Sequence, residues 1–118
     1  MANDRIQIVT SNGTMNEHKI LTLRGPLTIQ TIFDFQTTIR AEQSPVVIVD
    51  LSGVPYMDSA GLGAIVGAYV SANRSNRKLV LAGLNERVKA LISMTHLGRL
   101  FPSYDTVADA ERATVALN

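Results

Sequence analysis

Asp58 and Ser59 stand side by side ahead of a small-residue run, Ala60-Gly61-Leu62-Gly63. A carboxylate and a hydroxyl placed there could cap a helix, and the serine could accept a phosphate. Together with an imidazole they could also form a nucleophilic triad, here Ser59, His96 and Asp58. Adjacent residues rarely reach opposite ends of one imidazole, however, and a nucleophile elbow needs glycine where Met57 stands. Gly61-Leu62-Gly63 with Gly67 reads G-x-G-x-x-x-G, one residue off the dinucleotide fingerprint and inside the helix rather than before it. Cysteine is absent and His18 and His96 are the only imidazoles, so no thiol chemistry, disulfide or metal site is expected. The chain reads as non-enzymatic, with no catalytic residue and no cofactor.

The elements that must position this pair follow from periodicity. Ile6 to Ser11 and His18 to Arg24 read as two strands joined through Asn12-Gly13, an antiparallel hairpin. After Gly25-Pro26, Thr28 is the expected cap of a helix with Ile29, Ile32, Phe33 and Ile39 on its inner face. Val46 to Leu51 is a nearly continuous apolar run, suited to a parallel strand covered on both sides. Ser59 to Asn73 forms the next helix, Leu79 to Ala82 a strand, and Asn85 caps a third helix carrying Val88, Leu91 and Ile92 inward. Thr106 to Asp109 resembles a capping box for a last helix, with Val107, Ala110, Thr114 and Leu117 on one face. A very short strand can fit near Phe101. The fold class is α/β: a single compact domain over residues 1–118, with a mixed, mainly parallel sheet of about four strands flanked by helices.

Composition narrows the function. The 118 residues carry a net charge of +1, too little cation excess for an electrostatic nucleic-acid binder. No apolar run approaches the ~20 residues of a membrane span, and Met1 to Arg5 lacks a secretory pattern. A cytoplasmic protein is expected, without nucleic-acid or membrane partners. Arg74, Arg77 and Lys78 read as a solvated complement to a helix C-terminus, and His18 as a residue of an exposed strand edge.

The helix from Ser59 is unusual. Leu62, Ile65, Val66, Tyr69 and Val70 form a bulky stripe expected to pack on the sheet. Ala60, Gly61, Gly63, Ala64, Gly67, Ala68 and Ser71 lie opposite, and no charge occurs between Asp58 and Arg74. Glycine inside a helix costs about 0.5–1 kcal/mol against alanine, so the glycines imply that another element, internal or a partner, approaches closely.

Val47 to Val54 followed by Met57-Asp58-Ser59-Ala60-Gly61-Leu62-Gly63 resembles the STAS domain of bacterial anti-sigma factor antagonists. Gly25-Pro26-Leu27-Thr28 is similar to that family's Gly-x-Leu-Asp turn, with Thr28 in place of the acidic residue. Thr95-His96-Leu97 is similar to its Thr-Gly-Leu element, with His96 replacing glycine, and Leu100-Phe101 to its Leu-Phe element. The resemblance implies a STAS-like fold and a partner-switching regulator. In that family an anti-sigma factor that is also a serine protein kinase phosphorylates the serine after the aspartate, by position Ser59. A PP2C-type phosphatase reverses the mark. The uncharged helix face and the turn before it give the expected docking surface: Tyr56, Met57, Asp58, Ser59, Ala60, Gly61, Gly63, Ala64 and Gly67. The alternative in the same fold is a STAS scaffold or accessory subunit of a stress-signalling or lipid-transport complex, never phosphorylated.

Overall fold

The computed structural model describes residues 5–15, 17–97 and 99–115. The element order is β1 (Gln7–Asn12), β2 (His18–Arg24), α1 (Ile32–Ala41), β3 (Val46–Gly53), α2 (Ser59–Arg74), β4 (Lys78–Ala82), α3 (Glu86–Met94), β5 (Ser103–Tyr104) and α4 (Val107–Val115). The sheet has five strands in the order β1-β2-β3-β4-β5, with β1 antiparallel to β2 and the remaining pairs parallel. The fifth strand is the short one, two residues beyond Phe101.

β3 shows why its run is continuously apolar. Val47, Val49 and Leu51 point to one layer, with Phe35 and α2 and α3 residues, while Val46 and Ile48 meet Ala110 of α4 on the other. Strand alternation thus feeds two cores at once. Asn85 caps α3 as expected, its side chain accepting from the Val88 amide at 2.9 Å. Thr106 Oγ1 likewise accepts from the Asp109 amide at 3.0 Å, half of a capping box. Leu117 lies outside the described residues.

α1 departs from expectation. It starts at Ile32 behind Thr31, because residues 26–31 form a turn closed by the Thr31 hydroxyl. That hydroxyl donates to Pro26 O at 2.8 Å and accepts from the Thr28 amide at 2.9 Å. The inward positions are therefore Ile32, Phe35 and Ile39. Ile29 and Phe33 face outward instead, 67% and 73% exposed.

His18 is also placed differently, with only 1% exposure. β2 lies inside the sheet and α4 covers this end, so its Nδ1 comes 3.5 Å from Glu111 Oε2 and its Nε2 3.4 Å from Thr114 Oγ1. Glu111 Oε2 additionally accepts from the Thr14 amide and hydroxyl, both at 2.6 Å. The group fastens the β1–β2 loop to α4.

Candidate functional site: the Asp58–Ser59 turn

The β2–α1 turn and the β3–α2 turn are tied together beyond the carboxyl ends of the parallel strands. Leu27 N donates to Tyr56 O at 3.2 Å, Asp58 N donates to Leu27 O at 3.3 Å, and Leu27 pairs with Met57 as an isolated parallel bridge. Asp58 is the N-cap of α2: Oδ1 accepts from Gly61 N at 2.9 Å, and Oδ2 accepts from Ile29 N at 3.1 Å. Burial would raise its carboxyl pKa, but the amides of Gly61, Ile29 and Ala60 outweigh it and hold the group below the ordinary 3.8. One carboxylate thereby anchors the start of α2 and the turn ahead of α1. Asp58→Ala should cost about 1 kcal/mol of stability, the usual worth of an N-cap, read as a lowered urea midpoint. An unchanged midpoint would show the cap to be idle.

Ser59 is the first residue of α2 and is exposed. Its position presents a hydroxyl to solvent beside the positive end of a sixteen-residue helix. Asp58 holds backbone amides rather than an imidazole, and His96 lies in the exposed turn after α3. A triad has no orienting carboxylate here. His96 has φ 60°, a left-handed conformation that suits glycine, the residue of the Thr-Gly-Leu element at that place.

The expected docking residues divide by burial. Tyr56, Ser59, Gly63 and Gly67 are exposed and Asp58 and Ala60 half-buried, whereas Met57, Gly61 and Ala64 belong to the chain's own interior. Tyr56 also has the Arg87 guanidinium 5.2 Å from its ring centre, so a cation stands on this side of the surface. The bulky stripe of α2 is only partly inward. Leu62 and Ile65 are buried, Val66 and Tyr69 half-buried and Val70 exposed, while the small Ala64, Ala68 and Ala72 take buried positions on the side toward α1.

The three helix glycines have different reasons. A Cβ on Gly61 would collide with the Leu27 carbonyl, lying 2.9 Å from its carbon, so internal packing requires glycine there. Among the described residues, a Cβ on Gly63 or Gly67 would meet nothing within 4 Å, and none of them accounts for those two glycines.

A profile of the STAS domain family matches residues 5–110. The chain belongs to the STAS domain family. Among the relatives of this STAS chain, the anti-sigma-B factor antagonist of Staphylococcus epidermidis is 34% identical over 76 residues, 62% of this chain and 70% of that protein. The anti-sigma F factor antagonist of Paenibacillus polymyxa is 31% identical over 72 residues, 61% of this chain. The match spans 62% of the Paenibacillus protein's own length. An anti-sigma factor antagonist from Mycobacterium paratuberculosis shares the fold, with a TM-score of 0.85 at 23% identity over 95% of this chain and 96% of that one. Among the described residues, no helix of the STAS chain is long and apolar enough to cross a membrane.

Proposed function

We propose that this STAS domain is an anti-sigma factor antagonist that binds an anti-sigma factor with serine kinase activity and is released by phosphorylation of Ser59. A PP2C-type phosphatase restores it, and the whole cycle runs in the cytoplasm without nucleic acid or membrane. The observation carrying the reading is an exposed serine at the first position of α2, next to two glycines that packing among the described residues does not need.

The chemistry follows from the site. Phosphorylation adds about −1.5 to −2 charges and three acceptor oxygens. The helix dipole tolerates that charge, but the Asp58 carboxylate already occupies the Gly61 amide, so the phosphate meets an ionised neighbour rather than an empty cradle. Repulsion and bulk then fall on the docking surface while the core beneath is untouched.

The test is binding to the host's anti-sigma kinase, with phosphosite mapping after incubation with Mg-ATP. Ser59→Ala should bind like the parent and take up no phosphate, and Ser59→Asp should bind at least about tenfold more weakly. Equal binding of Ser59→Asp, or phosphate persisting in Ser59→Ala, would refute the switch. A Ser59→Ala protein indistinguishable from the parent in cells, with no phosphate on either, would favour the scaffold.

A further inference from the structure

We infer that the face between α1 and α2 is a docking groove for one helical segment of the protein partner, apolar where it meets Ile29 and Phe33 and acidic where it meets Arg40 and Arg77. The inference rests on the proposed function and adds the partner's chemistry and its direction along the surface. Ile29 and Phe33 are exposed next to the acceptor turn, with Ile29 N held by Asp58. Phe33 and Arg40 are seven residues apart, about two turns, and so share one stripe of α1.

Beside that stripe lies a groove of about 360 Å³ lined by Gln36, Arg40, Gly63, Gly67, Ser71 and Arg77. The bare glycine positions let a partner's backbone come close, and α2 spans about 24 Å over its sixteen residues, room for several helical turns. Among the described residues neither Arg40 nor Arg77 has a carboxylate within salt-bridge distance. The Glu42 carboxylate is turned to Ser44, and Arg77 Nη1 reaches only the Glu42 carbonyl at 2.9 Å. Arg77 Nε is buried without a hydrogen-bond partner among the described residues. The two helix C-termini and the Glu42 carboxylate offset much of this charge overall, but among the described residues neither guanidinium has a carboxylate of its own to pair with. An acidic side chain supplies one. A helix lying in a groove with apolar anchors at one end and charge at the other is a recurrent recognition mode.

Affinity of the full chain for the host's anti-sigma kinase, measured at two salt concentrations, tests this. Phe33→Ser and Arg40→Glu should each weaken binding about tenfold or more, and Arg40→Glu should also flatten the salt dependence. Arg112→Glu, on α4 across the sheet, should stay within about twofold, because it alters the same charge away from the groove. All the substituted side chains are exposed, and thermal melts confirm that each variant is folded. If Ser59→Asp weakens binding while Phe33→Ser and Arg40→Glu match the parent, the groove assignment falls and the proposed function stands. If no Ser59-sensitive binding exists, both fall. Saturable binding of free inorganic phosphate or glutamate at Arg40 and Arg77, with partner affinity unaffected by Arg40→Glu, would replace the partner helix with a small anion.

Discussion

Gly61→Ala is expected to unfold or severely destabilise the domain, whereas Gly63→Ala and Gly67→Ala should leave it as stable as the parent or more so. The three changes are chemically identical and differ only in surroundings. At position 61 the new methyl is driven into the Leu27 carbonyl, with Met57 Cβ 3.2 Å away on another side. Neither neighbour can retreat easily, since Leu27 O accepts the Asp58 amide and Leu27 N is bonded to Tyr56 O. Overpacking against backbone costs about 1–3 kcal/mol or more, a large part of a small domain's stability. At positions 63 and 67 the methyl enters open space, and the helix gains about 0.5–1 kcal/mol from replacing glycine. Chemical denaturation of the three variants decides the matter. A Gly61→Ala protein with parental stability would mean the two turns are not in contact as described. Partner affinity should move the other way, falling for Gly63→Ala and Gly67→Ala despite their sounder fold.

Glu111→Ala should cost about 1–3 kcal/mol, because it removes the charged acceptor of both Thr14 hydrogen bonds and the carboxylate that faces the buried His18 ring. Glu111→Gln keeps an oxygen for Thr14 and should cost less. The acid limb of stability carries a second signature. Burial would raise the Glu111 pKa, but the Thr14 hydroxyl and amide and the nearby His18 hold it below the ordinary 4.5. A folded-state pKa below the unfolded one contributes stability that is complete above the unfolded value and disappears as pH falls through the folded value. The stability of the parent should therefore decline below about pH 4.5, and that of Glu111→Gln less steeply over the same range. Parallel pH profiles for the two proteins would show that Glu111 has no part in acid unfolding. Asp58 adds to the same limb below its ordinary 3.8, since its pKa is also depressed. Glu111→Gln leaves that share in place.

How far the sequence was legible depended on whether local pattern and tertiary packing agreed. The Val46–Leu51 run and the Asn85 cap are legible because each is a local signal with one physical solution, whereas Asp58 and Ser59 are both good caps and the structure picks Asp58. Ile29 and Phe33 misled the assignment of α1's inner face. Their spacing fits a helix starting near Thr28, but the Thr31 hydroxyl closes a turn first and shifts the helix start to Ile32. His18 was misplaced because nothing near it in sequence shows that Glu111, at the other end of the chain, comes to meet it. Close approach, expected of the α2 glycines together, holds for Gly61 against Leu27, whereas at Gly63 and Gly67 no described residue lies within 4 Å of an added methyl. Arg40 and Arg77, thirty-seven residues apart, carry no signal in the sequence as a pair. Their common groove depends on α1 and α2 lying side by side, and the one available hint was a helix without charges ending in a basic cluster.

The bond from Ile29 N to Asp58 Oδ2 gives the domain a natural reporter. That amide lies ahead of α1 and is held by a carboxylate one residue from Ser59, so its proton resonance and its hydrogen-exchange rate follow the state of Asp58. A phosphate on Ser59 repels that carboxylate and loosens its hold on the amide. Isotope-labelled protein followed in real time would thus display modification at residue 59 through one peak from residue 29, with no partner or antibody present. The same peak would also record how fast the apolar end of α1 responds.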